Sequence, residues 1–121
     1  MNPKFFHFQN RIKSFGFAIQ GIIVFFKTQV NAWIHLLAAI VAGVTGYILK
    51  IDKTEWCWIV LAIAMVFVTE LLNTALEFLT DLASPSIHPL AKKVKDIAAG
   101  AVLIAAIAAV VIAAIIFLPK F

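Results

Sequence analysis

The stretch from Ile97 to Leu118 contains no charged residue. A helix needs roughly 20 predominantly apolar residues to cross the hydrocarbon of a bilayer, and this stretch supplies them. A soluble domain offers no alternative home for it. The chain has 121 residues of which 64% are hydrophobic, and a domain of that size has too little interior to hide them. A hydrocarbon solvent removes the conflict, so the expected fold is an all-α membrane protein with a single domain over residues 1–121. Two further apolar runs fit that class. Trp33 to Ile51 is interrupted only by His35 and Lys50, both near its ends. The next run starts at Trp56, stays apolar to Val68, keeps a helical pattern to Ala83 and is stopped by Ser84-Pro85-Ser86 and Pro89. The expected spans are therefore residues 33–51, 56–83 and 92–118. Gly43 and Gly46 make a small patch suited to close helix approach, as does Gly100. The 50–55 segment reads as a short link, with Trp56 and Trp58 at the membrane interface.

Residues 5–28 differ from these. Ile12, Phe15, Ile19, Ile22 and Phe26 recur at helical spacing, with Asn10, Arg11, Lys13, Ser14 and Gln20 between them. The pattern predicts an amphipathic surface helix in the headgroup plane rather than a fourth crossing. Of the 10 basic residues, Lys4, Arg11, Lys13 and Lys27 lie near the N-terminus and Lys92, Lys93 and Lys95 in a later loop. Basic clusters beside apolar spans point to an anionic membrane face rather than to nucleic acid. The positive-inside rule puts the N-terminus and the 84–95 loop in the cytoplasm. Cys57 is the one cysteine, so no intrachain disulfide can form.

The chemistry is concentrated in the second span. Glu70, Asn73, Glu77 and Asp81 are spaced by three, four and four residues and fall on one helix face. A carboxylate within a span is expensive unless it faces protein, water or a cation. Three of them repel one another, which calls for a divalent cation or a lysine among them. From Trp56 to Glu70 a helix rises about 21 Å, so the stripe runs from the lipid boundary into the aqueous phase. Lys92, Lys95, Ala99 and Gly100 share a face at the start of the third span, where a lysine is suited to phosphate. A reaction joining a lipid hydroxyl to a soluble nucleotide would need such a geometry. From pattern alone, the stripe also fits the cation path of a small transporter or channel subunit, and a structural subunit without chemistry is the third possibility. No glycine-rich phosphate loop of the familiar kinds is present.

Two separated motifs carry a resemblance. Glu70-Leu71-Leu72-Asn73-Thr74-Ala75-Leu76-Glu77 followed by Asp81, and Ala91-Lys92-Lys93-Val94-Lys95-Asp96-Ile97-Ala98-Ala99-Gly100-Ala101-Val102, resemble the signature of the bacterial membrane diacylglycerol kinase and undecaprenol kinase family. The likeness covers nearly the whole chain. It implies an ATP- and Mg²⁺-dependent lipid kinase of the bacterial inner membrane. The product from diacylglycerol would be phosphatidic acid, with undecaprenol as the alternative acceptor. It also implies a homotrimer with active sites shared between subunits. Glu70 would be the base for the lipid hydroxyl, with Asn73 beside it. Glu77 and Gln29 would hold the metal. The nucleotide would meet Arg11, Lys13, Phe17, Gln29, Glu77, Ser86, His88, Lys95 and Asp96, and the lipid Ser14, Asn31, His35, Glu70 and Ala99. Two positions depart from the family pattern. Gln29 stands where the family has a glutamate metal ligand, and Phe17 where it commonly has a tyrosine. Mg²⁺ prefers charged oxygens, so Gln29 implies weaker metal affinity, in either a working kinase or a catalytically reduced relative.

Overall fold

The computed structural model describes residues 3–121, with side chains from residue 9 onward; the side chains of Lys4 and Phe5 lie outside the described residues. Four helices follow one another: α1 (Pro3–Thr28), α2 (Val30–Ile48), α3 (Lys53–Ala83) and α4 (Pro89–Phe117), with a 3₁₀ turn at Leu118–Lys120. Among the described residues three segments are long and apolar enough to span a membrane: Val30–Ile48, Lys53–Ala83 and Pro89–Lys120, each containing an 18-residue stretch, of mean hydropathy 1.5, 2.1 and 3.2 respectively. α1 is not one of them. At 31 residues α3 is about 46 Å long, against a hydrocarbon core of about 30 Å, so it extends beyond the hydrocarbon.

Helix bounds differ from the sequence expectation in ways that have local causes. α3 begins before Trp56, inside what reads as a link. Asp52 caps it by accepting from the Glu55 amide at 2.8 Å, while the Glu55 carboxylate accepts from the Asp52 amide at 3.1 Å. This reciprocal capping box satisfies two amides that a helix start otherwise leaves unpaired. α4 likewise begins early, at Pro89, whose missing amide costs nothing in the first turn.

α2 ends in a Schellman turn. The Ile51 amide donates to Gly46 O at 3.1 Å and the Lys50 amide to Tyr47 O at 3.3 Å. The turn forces Lys50 to φ 54°, a left-handed conformation that strains a side chain with a Cβ. Lys50→Gly should therefore raise the stability of the folded protein by about 1 kcal/mol, read as a higher midpoint in thermal unfolding. An unchanged or lower midpoint would show that the turn carries no such strain. The same turn explains Gly46. A Cβ there would stand 2.9 Å from Ile51 Cδ1 and 3.0 Å from the Trp56 ring. Gly46 thus serves a close approach within the turn. Gly43 and Gly100, expected to admit a neighbouring helix, have nothing within 4 Å in this chain.

α3 and α4 form the principal helix pair, and α2 packs on α3. The apolar core sits at the end of the bundle where α2 turns into α3. Ile51, Ile59 and Ile116 are buried there against Ala42, Leu49, Trp56, Ile63, Ile112 and Phe117. Lys120 Nζ closes that end with an ion pair to Glu55 at 3.0 Å. At the opposite end, α1 joins α2 through one non-helical residue, Gln29. Phe25 is 2% exposed and packs edge-on against Phe26 and Phe67. Trp33 meets Phe26 edge-on and donates its indole N–H to Phe26 O at 2.9 Å, pairing a carbonyl left open at the end of α1. Along the rest of α1, Ile12, Phe15, Phe17 and Ile19 are exposed, as a helix lying on acyl chains requires.

Candidate active site

Glu70 of the α3 stripe is buried in the protein, Asn73 and Glu77 are half-buried and Asp81 is exposed, and each acid has its own partner. Glu70 is buried, at 4% exposure, and its Oε1 is 2.7 Å from Nε2 of His35 on α2. Its backbone carbonyl accepts from the Thr74 hydroxyl at 2.9 Å. One turn on, Asn73 Nδ2 donates to Glu77 Oε1 at 3.1 Å. Among the described residues Asn73 Oδ1 is buried without a hydrogen-bond partner, an acceptor that a buried site normally satisfies. Farther along, Lys95 Nζ donates to Asp81 Oδ1 at 2.6 Å, tying α4 to α3. The three acids are thus hydrogen-bonded within the chain by a histidine, an amide and a lysine, and the lysine brings a full positive charge to Asp81.

Two recesses flank the stripe. A groove of about 280 Å³ opens between α2, α3 and α4, walled by Ala38, Ala62, Val66, Phe67, Ala106 and Ala109 among others, with His35 as its polar member. That volume is near the lower limit for small-molecule sites, roughly 300–1,000 Å³, and admits part of one hydrocarbon chain. A polar cleft of about 320 Å³ lies where α3 gives way to α4. Its walls include Asp81, Ser86, His88, Lys92, Lys95 and Asp96. Along α3 the order is groove, Glu70, Asn73, Glu77, cleft, and the carboxylates of Glu70 and Asp81 are separated by about 16 Å of helix rise.

Four of the residues expected at a nucleotide, Ser86, His88, Lys95 and Asp96, therefore line one cleft. His88 also caps α4, its Nδ1 accepting from the Leu90 amide at 3.0 Å. Asp96 is paired with Lys92 at 2.5 Å. Residues on or beside α1 are not gathered there. Arg11, Lys13, Ser14 and Phe17 are exposed, and the Ser14 hydroxyl donates to Asn10 O at 2.8 Å. Asn31 and Ala99 are exposed as well. The Gln29 side chain donates to Thr28 Oγ1 at 3.3 Å and makes no bond to Glu77. Among the described residues, no group of three His, Cys, Asp or Glu side chains is placed to hold a metal ion. The contact that sequence reasoning missed is His35 with Glu70. Their separation of 35 residues has no periodicity to betray it.

A family model described as prokaryotic diacylglycerol kinase matches residues 16–117. The chain belongs to that family. Undecaprenol kinase of Bacillus subtilis is 43% identical over 108 residues, covering 89% of this chain and 88% of the relative. Diacylglycerol kinase of Synechocystis is 40% identical, covering 91% of this chain and 63% of the relative. Diacylglycerol kinase of Escherichia coli is 28% identical over 86% of this chain and 85% of its own length. As a member of the prokaryotic diacylglycerol kinase family with three apolar spans, the chain is a multi-pass bacterial membrane lipid kinase, which uses a nucleotide as phosphoryl donor. Family membership decides against the ion-path and purely structural readings of the stripe.

Proposed function

We propose that this kinase transfers the γ-phosphoryl group of ATP to the primary hydroxyl of a membrane lipid at the cytoplasmic face, converting diacylglycerol to phosphatidic acid. One observation carries the reading. Glu70, the buried carboxylate of the stripe, stands between an apolar groove and a polar cleft on the same helix. The lipid chain enters the groove, its hydroxyl reaches Glu70, and the nucleotide occupies the cleft. Glu70 accepts the hydroxyl proton as the lipid oxygen attacks the γ-phosphorus. Lys95, held by Asp81, offsets charge that develops on the phosphates, and positioning supplies most of the remaining acceleration.

Mg²⁺ is compatible with these residues, because it commonly takes one or two carboxylates together with substrate phosphates and water. Glu77 would hold it, with Gln29 as a neutral second ligand, and the ion would neutralise phosphate charge. Gln29→Glu should raise kcat/KM severalfold at limiting Mg²⁺ and little at saturation. An unaltered Mg²⁺ titration would remove position 29 from the metal site.

The cytoplasmic placement of the N-terminus rests on the basic residues of α1 and of the 84–95 loop. A homotrimer with shared sites is what the family resemblance implies, and in this chain Arg11, Lys13, Ser14 and Phe17 are exposed. Those side chains would complete the site of a neighbour. Undecaprenol is the second acceptor, favoured by the 43% identity with a relative of matching length that bears that name. Purified protein in mixed micelles with labelled ATP, Mg²⁺, diacylglycerol and undecaprenol tests all of this. Phosphatidic acid as the main product supports the first acceptor and undecaprenyl phosphate the second. Absence of any labelled lipid would refute the reading.

A further inference from the structure

Glu70 has one side-chain partner among the described residues, the imidazole of His35. A carboxylate only accepts, so with Glu70 ionised His35 Nε2–H is the donor. Packing fixes the ring. Phe67 meets it edge-on at 6.3 Å, and Phe67 in turn packs against Phe25 and Phe26. The imidazole is thus held by the aromatic cluster at the α1–α2 elbow and reaches across to α3. It engages Oε1 of Glu70, while Oε2 makes no hydrogen bond among the described residues. His35 is also the polar member of the apolar groove, so the pair stands where a lipid hydroxyl would leave it.

We propose that His35 is a positioning residue for lipid phosphorylation, holding Glu70 in the rotamer that presents Oε2 to the acceptor hydroxyl. The proposal rests on the lipid kinase reading with Glu70 as base. In the reaction the hydroxyl O–H bond breaks and its proton passes to Oε2. The lipid oxygen forms a bond to the γ-phosphorus as the bond from that phosphorus to the bridging oxygen breaks, and ADP leaves with the electron pair. His35 keeps its Nε2 proton throughout. It steadies the carboxylate before transfer and the carboxylic acid after it, and gives up no charge.

Three variants of the full chain test this in mixed micelles, with ATP, Mg²⁺ and whichever acceptor the unaltered protein phosphorylates. In His35→Gln the side-chain amide reaches as far as Nε2. In His35→Asn it falls short, and in His35→Leu the donor is gone. A misplacement of about 1 Å at a reacting group costs on the order of 10²-fold, so His35→Asn and His35→Leu should lose about that much in kcat. KM for ATP and for lipid should stay unchanged, and His35→Gln should recover most of the rate. In a Glu70→Gln background, His35→Leu should cost nothing further, as expected of two residues acting as a unit. Should the leucine variant fail to fold, as judged by circular dichroism and gel filtration, the polar pair decides between the outcomes. Undiminished kcat in His35→Asn would overturn the proposal. So would a change confined to lipid KM, which would make His35 a lipid contact, or a glutamine variant as slow as the asparagine one. These results leave the kinase reading standing. An unaltered protein that labels no lipid removes that reading and the role of His35 together.

Discussion

Glu70→Gln is expected to lower kcat about 10³-fold, within the range of roughly 10²–10⁴ attributed to general bases, with nucleotide affinity retained. Glutamine matches glutamate in shape and its carbonyl still accepts from His35 Nε2, so the fold and the 2.7 Å contact have no reason to fail. Only the capacity to take a proton is lost. The measurement is twofold: turnover in mixed micelles, and ATP binding by calorimetry in the presence of Mg²⁺. Loss of ATP binding from a folded variant would recast Glu70 as a nucleotide ligand, and persistent turnover would move the base elsewhere.

The second large effect is expected at Glu77. Glu77→Gln should cost about 10²-fold in kcat/KM at limiting Mg²⁺, with part of the loss recovered at high Mg²⁺, because a neutral oxygen is a poor ligand for this ion. The amide oxygen can still accept from Asn73 Nδ2, which donates to Glu77 at 3.1 Å in the unaltered protein. The comparison therefore isolates charge from geometry. A Mg²⁺ dependence identical to that of the unaltered enzyme would show that Glu77 holds no metal. The two substitutions also separate from each other, since added Mg²⁺ should do nothing for Glu70→Gln.

The three spans and the acidic stripe were legible because both are periodic. An uncharged run and a spacing of three and four are local facts of the chain. The start of α3 was equally local and was still missed. Asp52 and Glu55 form a capping box, but the charged segment around them reads as a link when it is judged by polarity alone. The elbow at Gln29 was not legible, since one extended residue between two helices leaves no compositional trace. Partnership was the least legible property. Lys95 was singled out for phosphate, yet its bond to Asp81 joins residues 14 apart on different helices, and His35 with Glu70 joins residues 35 apart. Such pairs are chosen by the way helices pack, which no single segment encodes.

The two ends of this bundle are fastened by different forces. Isoleucines, a tryptophan and a phenylalanine grip the end near Ile51, whereas beyond Glu77 the one ion pair between α3 and α4 among the described residues, Lys95 with Asp81, is exposed. Fastenings of the second kind are weak in water and yield to salt, so this half can breathe while the other stays shut. Amide hydrogen exchange should accordingly begin at the mouth of the cleft. On the proposed reading, spent nucleotide would leave the cleft and fresh nucleotide enter it without loosening the apolar clasp near Ile51.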